Sequence, residues 1–264
     1  MDVLQRNNVR SFGKGSQTLL FAHGFGCDQN MWRFITPAFE AQFKIVTFDY
    51  VGCGNSDIEA YNPNRYSSLH GYAQDIIELC DALELNQIIF IGHSVSCMIG
   101  ALASIQRMDL FKSLIMIGPS AKYVNDDEYY GGFSNGDLEG LFEVMDNNYI
   151  GWASFLAPVV MKNSDQPELA QELEESFCAT DPDINRKFAR VTFISDNRDD
   201  LKKLKVPSLI MQCSEDAIAP DEVGHYVAHN IPFSTFVKME ATGHCPHLSH
   251  PAETISIIHN YISA

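Results

Sequence analysis

Three short stretches carry residue types that together can do acyl-transfer chemistry. In Ile88-Ile89-Phe90-Ile91-Gly92-His93-Ser94-Val95-Ser96 an apolar run ends in Gly-His-Ser and then passes straight into a helix pattern. A turn this sharp lifts a serine hydroxyl clear of the strand and aims the next backbone N–H at an oxyanion, which is the context of a nucleophile elbow. Ser94 is therefore the candidate nucleophile, and the Val95 N–H is the first oxyanion donor. His244, in Thr242-Gly243-His244-Cys245, follows another apolar run by a short glycine turn and is the candidate general base. Asp216 ends a third run, Ser208–Gln212 followed by Cys213-Ser214-Glu215, and is the candidate partner that fixes the imidazole tautomer. The order Ser, Asp, His along the chain is one in which such triads occur. Glu215 and Asp221 are rival carboxylates, each read as a solvated surface charge.

A fourth stretch, Phe21-Ala22-His23-Gly24-Phe25-Gly26, follows the first clear apolar run. Glycines there let the chain turn back beneath the strand ends, and the Phe25 N–H becomes the second oxyanion donor. The elbow departs from the usual G-x-S-x-G in one place, since Ser96 stands where the second glycine belongs. His93 is expected to point away from the pocket, and His247 and His250 to be loop or capping residues. The three-residue spacing of His244, His247 and His250 does not make a metal face, because Pro246 and Pro251 interrupt it. The glycines at 24, 26, 52 and 54 fail the dinucleotide fingerprint at its third position, so no cofactor is expected.

These residues need a scaffold. The chain has 264 residues, enough for one large α/β unit. Buried strands are predicted at Thr18–Ala22, Lys44–Phe48, Gln87–Ile91, Leu114–Ile117, Ser208–Gln212 and Thr235–Met239. Helices are predicted near Tyr72–Leu83, Ser94–Ile105 and Pro251–Tyr261. Alternation of this kind gives a mostly parallel sheet with helices on both faces. From Tyr123 to Asp200 no strand pattern appears. Helical patterns near 135–147, 152–160, 167–178 and 182–195, rich in Phe, Tyr and Trp, read as a cap over the strand ends. The expected division is core 1–122, cap 123–200 and core 201–264; extra helices beside the sheet are the alternative.

Composition narrows the partners. Lys and Arg number 18 against 34 Asp and Glu, a net charge of −16. Such a surface repels phosphate backbones and anionic membranes, so neither nucleic acid nor membrane is expected. The seven cysteines are scattered without a CxxC pair, and the N-terminal ten residues lack an apolar signal core. A cytoplasmic location is the expectation, and no cysteine sits in a nucleophile setting.

The segments FAHGFGCDQNMW, FDYVGCGNSD, GYAQDI, IGHSVSCMIGALASI, YYGGF, NYIGWA and GHCPHLSHP span nearly the whole chain. In them the chain resembles the α/β-hydrolase superfamily, and within it the bacterial RsbQ-type stress-response hydrolases and, more distantly, the plant strigolactone and karrikin receptors. The GHSVS elbow is similar to the plant branch, FDYVGCGNSD and GHCPHLSHP to the bacterial one. The resemblance implies the triad Ser94, Asp216 and His244 with Phe25 and Val95 as oxyanion donors. It implies a four-helix, V-shaped cap over a small apolar cavity. It also implies slow hydrolysis of a small hydrophobic ester or lactone used in signalling, with a PAS-domain phosphatase as partner in the RsbQ-type systems. A ligand-sensing protein with little turnover and a general carboxylesterase are the other readings. A dehalogenase or epoxide hydrolase on this fold would carry aspartate at position 94.

Overall fold

A computed structural model describes residues 2–263; Met1 and Ala264, the outermost residues of the two expected core segments, lie outside it. The strands are β1 (Arg10–Gly13), β2 (Thr18–Ala22), β3 (Lys44–Thr47), β4 (Ile88–His93), β5 (Phe111–Ile117), β6 (Ser208–Ser214) and β7 (Ser234–Thr242). The helices are α1 (Val3–Arg6), α2 (Leu69–Ala82), α3 (Val95–Gln106), α4 (Asn135–Asn147), α5 (Tyr149–Met161), α6 (Pro167–Ala179), α7 (Pro182–Phe193), α8 (Arg198–Leu201), α9 (Asp221–Asn230), α10 (Pro246–Ser249) and α11 (Pro251–Ser263). The seven strands form one sheet in the order β1-β3-β2-β4-β5-β6-β7. Every pairing is parallel except β1 with β3.

All six expected strands are present. β1 has no apolar run to announce it, because Arg10, Ser11, Phe12 and Gly13 all lie exposed on the sheet edge. The central strands β2, β4 and β5 bury both faces, which is why they read as continuous apolar runs rather than as alternation. Alternate residues feed two cores. Leu20, Val46, Phe90, Leu114 and Ile210 pack with α2, α3 and the end of α9. Leu19, Phe21, Ile45, Ile91, Ile115 and Met211 pack with Trp32, Ile35, Phe39 and Ile258 of α11. Helices thus cover both faces, as expected.

Helices α4 to α7 are inserted between β5 and β6, and they form a third apolar cluster of their own. Leu138, Phe142, Trp152, Leu156, Leu173, Phe177 and Phe193 belong to it, joined by Cys27, Tyr123, Ile218 and Cys245 from the loops at the strand ends. Sequence cues set the ends of these helices. Ser134 and Asp137 make a reciprocal capping box at the start of α4. Pro167 and Pro182 occupy first-turn positions of α6 and α7, and Asp181 caps α7 by accepting from the Asp183 and Ile184 N–H groups. No helix among the described residues is long and apolar enough to cross a membrane. All seven cysteines are free thiols, and only Cys178 is exposed.

The crossing of α3 over β4 places the elbow. A Cβ on Gly100 would sit 2.3 Å from the Phe90 ring, so glycine is what lets the helix lie this close to the strand. Phe90 is fully buried and has little room to yield. Gly100→Ala is expected to destabilise the fold by about 1–3 kcal/mol through overpacking. Urea unfolding checks this, and a variant as stable as the parent would contradict the close crossing.

Candidate active site

Three strand ends deliver the expected triad residues to one point. Ser94 follows β4 directly and adopts φ 57° and ψ −124°, a backbone region that side-chain-bearing residues rarely occupy. Its own N–H donates to the Ile117 carbonyl at 2.8 Å, which ties the turn to β5. Asp216 follows β6, after Glu215 at φ 50°. His244 follows β7 through Gly243 at φ 78°. A Cβ on Gly243 would lie 2.4 Å from the Met161 carbonyl of α5, so this turn needs glycine on two counts.

The side chains converge in a line of hydrogen bonds. His244 Nδ1 lies 2.7 Å from Asp216 Oδ2, and His244 Nε2 lies 2.8 Å from Ser94 Oγ. A carboxylate only accepts, so Nδ1 carries the proton and Nε2 is free to accept from the serine hydroxyl. The other Asp216 oxygen accepts from the Ile218 and Ala219 N–H groups at 2.8 and 3.0 Å. All three residues are buried. Glu215 pairs with Lys162 and Asp221 with Lys238, both at the exposed surface, as expected of the rival carboxylates.

Val95 opens α3, where a first-turn N–H has no intrahelical acceptor, and Phe25 sits in the loop after β2. Among the described residues neither N–H donates to a protein acceptor. The Phe25 ring packs against Trp152, Phe177, Phe188 and Phe193 of the inserted helices.

A cavity of about 30 Å³ lies between the elbow and these helices. Ser94, His244, Phe25, Leu156, Phe177 and Phe193 are among the residues that line it. It is narrow, and its walls are mainly aromatic and aliphatic side chains. A larger groove of about 700 Å³ lies at the opposite edge of the sheet, between Lys112, Pro207 and Tyr261. It borders the starts of β5 and β6, whereas Ser94 and Asp216 follow strand ends, so only the smaller cavity of the two is lined by Ser94 and His244.

Two polar groups that the sequence did not single out face this cavity. The Tyr123 and Thr192 hydroxyls are buried in its lining, and among the described residues neither has a hydrogen-bond partner of ordinary geometry. No spacing rule connects them to Ser94, because they enter from the segment after β5 and from α7. The inserted helices are also tied to the site by backbone. The His244 N–H donates to the Val160 carbonyl of α5 at 2.9 Å, and Ser176 Oγ of α6 donates to the Gly26 carbonyl at 2.8 Å. Arg33 holds Glu172 of α6 through two bonds of 2.6 and 2.7 Å.

Two histidines differ from expectation. His93 does not turn away from the site: its ring packs 4.9 Å from that of His244, and its Nε2 donates to the His244 carbonyl at 2.8 Å. The left-handed backbone at Ser94 sends the serine outward, and the preceding side chain falls underneath the base loop. His247 is not a loop residue but lies buried in α10, 4.7 Å from the Trp32 ring and 4.5 Å from His93. His250 ends α10, and its carbonyl accepts from Thr254 in the first turn of α11, in keeping with a capping role.

The model of the alpha/beta hydrolase family matches residues 19–257. The chain belongs to the α/β-hydrolase family. Karrikin insensitive 2 receptor CA of Petunia hybrida is 38% identical over 261 residues, covering 98% of this chain and 97% of the relative. Strigolactone esterase D14 of Arabidopsis thaliana is 36% identical over 253 residues, covering 96% and 94%. A solved hydrolase from Oleispira antarctica superposes with a TM-score of 0.97 at 47% identity, covering 99% and 96%. The resemblance read from the elbow, oxyanion-loop and histidine-loop segments is thus to the right family, plant receptor branch included.

Burial sets the protonation of the histidines around the triad of this hydrolase. It pushes His247 down to about 3, with His244 and Arg33 adding to the shift, and it also lowers His93 and His23. A histidine whose folded pKa lies below its unfolded value of 6.5 binds fewer protons in the native state. Its stabilising effect is whole above pH 6.5 and drains away as pH falls toward the folded pKa. His247 alone is expected to remove about 2 kcal/mol of stability between pH 7 and pH 5. His247→Phe, which keeps a ring against Trp32, is expected to flatten that acid limb. Urea midpoints at the two pH values measure it, and parallel losses in parent and variant would refute the assignment.

Proposed function

We propose that this protein is a serine hydrolase that cleaves a small hydrophobic ester or lactone through a covalent acyl-Ser94 intermediate. The observation that carries the reading is the unbroken line Asp216–His244–Ser94, at 2.7 and 2.8 Å, opening on an apolar cavity. In this reading His244 Nε2 takes the Ser94 proton as Oγ attacks the substrate carbonyl, and the Phe25 and Val95 N–H groups receive the oxyanion. His244 then returns the proton to the leaving alcohol oxygen. Water attacks the acyl ester by the same base, releasing the acid. From a lactone both fragments leave as one hydroxy acid. We read residues 123–200 as the cap and the flanking segments as the catalytic core, because the inserted helices form a separate apolar cluster and wall the cavity.

A signalling role is part of the proposal. It draws support from relatives named as a receptor and as a strigolactone esterase, and from inserted helices that bond to both the Gly26 and the His244 loops. The same helix contacts make a ligand-sensing protein with little turnover the second reading. The RsbQ-type role and the PAS-domain phosphatase rest on the sequence resemblance alone. A cytoplasmic setting accords with seven unpaired thiols.

p-Nitrophenyl acetate and phenylmethylsulfonyl fluoride test the chemistry together. Turnover is expected in the parent, with mass labelling at Ser94 and loss of both in Ser94→Ala. Asp216→Asn is expected to lower kcat by roughly 10⁴-fold, since the imidazole then settles in the wrong tautomer. Unaltered turnover in either variant would refute the triad. Rapid hydrolysis of many short-chain esters would favour a general carboxylesterase.

A further inference from the structure

We propose that Ser96 and Tyr50 are positioning residues that hold the oxyanion loop, so that the serine standing in place of the second elbow glycine does part of the work of orienting the Phe25 N–H. The inference rests on the hydrolase reading above for its kinetic consequence, though not for its geometry.

Ser96 is completely buried in the first turn of α3. Its Oγ donates to the His23 carbonyl, the last backbone acceptor before Gly24 and Phe25. Tyr50 Oη lies 2.8 Å from the same Ser96 Oγ. A carbonyl cannot donate, so the serine proton points to His23. The tyrosine proton must then point to the serine. The result is a one-way relay, Tyr50 O–H to Ser96 O–H to His23 C=O. A glycine at position 96 would leave both the carbonyl and the phenol without this partner.

The His23 side chain completes the clamp. Its Nε2 accepts the Tyr50 backbone N–H at 3.1 Å, which leaves the ring proton on Nδ1. Nδ1 lies 2.8 Å from the Gly24 carbonyl and therefore donates to it. That carbonyl belongs to the same peptide as the Phe25 N–H, and in a trans peptide the two point in opposite directions. Fixing the oxygen from one side fixes the direction of the donor on the other. The loop has little other freedom, since a Cβ on Gly24 would lie 2.6 Å from His93 Nδ1. The Tyr50 ring also packs edge-on to Phe188 of α7, with centroids 6.1 Å apart, and Phe188 in turn meets Phe25 at 5.6 Å. One buried phenol thus touches the elbow, the oxyanion loop and the inserted helices.

The test compares the parent with Ser96→Ala, Tyr50→Phe and the double variant. With p-nitrophenyl acetate, each single change is expected to lower kcat by about tenfold and leave KM within about twofold, less than the loss on deleting an oxyanion donor because the donor remains. The double variant should be no worse than Ser96→Ala, since the two act through one relay. Ser96→Cys, which retains a weak donor, should recover part of kcat. Amide hydrogen exchange supplies a readout independent of turnover: residues 23–27 should exchange faster in Ser96→Ala and in Tyr50→Phe, with residues 88–92 unchanged. An unchanged kcat, a matching rise in KM, or unaltered exchange at 23–27 would each overturn the proposal. Absence of Ser94-dependent turnover in the parent would sink the hydrolase reading instead, and the exchange data would then decide the clamp by themselves.

Discussion

The site hangs on one strained residue. Ser94 at φ 57° and ψ −124° occupies a backbone state that costs of order 1–3 kcal/mol for a residue with a side chain. Such a state persists only when its surroundings leave no alternative. Here they do so from three sides. The Ser94 N–H is held by the Ile117 carbonyl of β5. Gly92 cannot carry a Cβ, which would fall 2.9 Å from the Ser96 backbone. Gly100 lets α3 settle on Phe90. The sheet and helix therefore meet the cost of the turn, and the turn in exchange presents a hydroxyl and an unpaired N–H on the same side.

The base is placed by a different logic. His244 has no strain of its own, but its loop is gripped above and below. The Val160 carbonyl of α5 accepts its N–H, and His93 donates to its carbonyl. The imidazole is thus aimed by backbone at one end and by Asp216 at the other. Burial keeps the neighbouring His93 and His247 low in pKa, so these two rings are uncharged near neutrality and would add no repulsion to the imidazolium that the proposed mechanism forms on His244. An aspartate held by two backbone N–H groups is then the nearest compensating charge.

Much of this was legible in the chain. Strands with both faces buried read as apolar runs, and the residues at their ends stood out because glycine or serine interrupted the pattern. The edge strand β1 was hidden because its residues face water and show no period. His93 and His247 were misplaced because local spacing says nothing about which ring lies beneath which loop; only the crossing of β4 with the segment after β7 brings them together. Tyr123 and Thr192 were silent for the same reason. Their hydroxyls matter through a cavity assembled from distant segments, and nothing within a few residues of either announces it. The role of Ser96 was visible only as a departure from a motif, since its partners, His23 and Tyr50, are 73 and 46 residues away.

The inserted helices do more than close the cavity. Ser176 of α6 holds the Gly26 carbonyl, α5 holds the His244 N–H, and Phe188 of α7 rests on Tyr50 and Phe25. These contacts reach both the Gly26 loop and the His244 loop, the two parts of the site that must be in register in the proposed acyl transfer. The cavity they wall is narrow. Widening it by shifting α5 or α6 pulls on His244 or Gly26, and shifting α7 unloads Tyr50. The position of the helices and the geometry of the site are therefore coupled in this fold. In the proposed hydrolase, a shift of these helices around a ligand would act on the oxyanion loop and on His244 together.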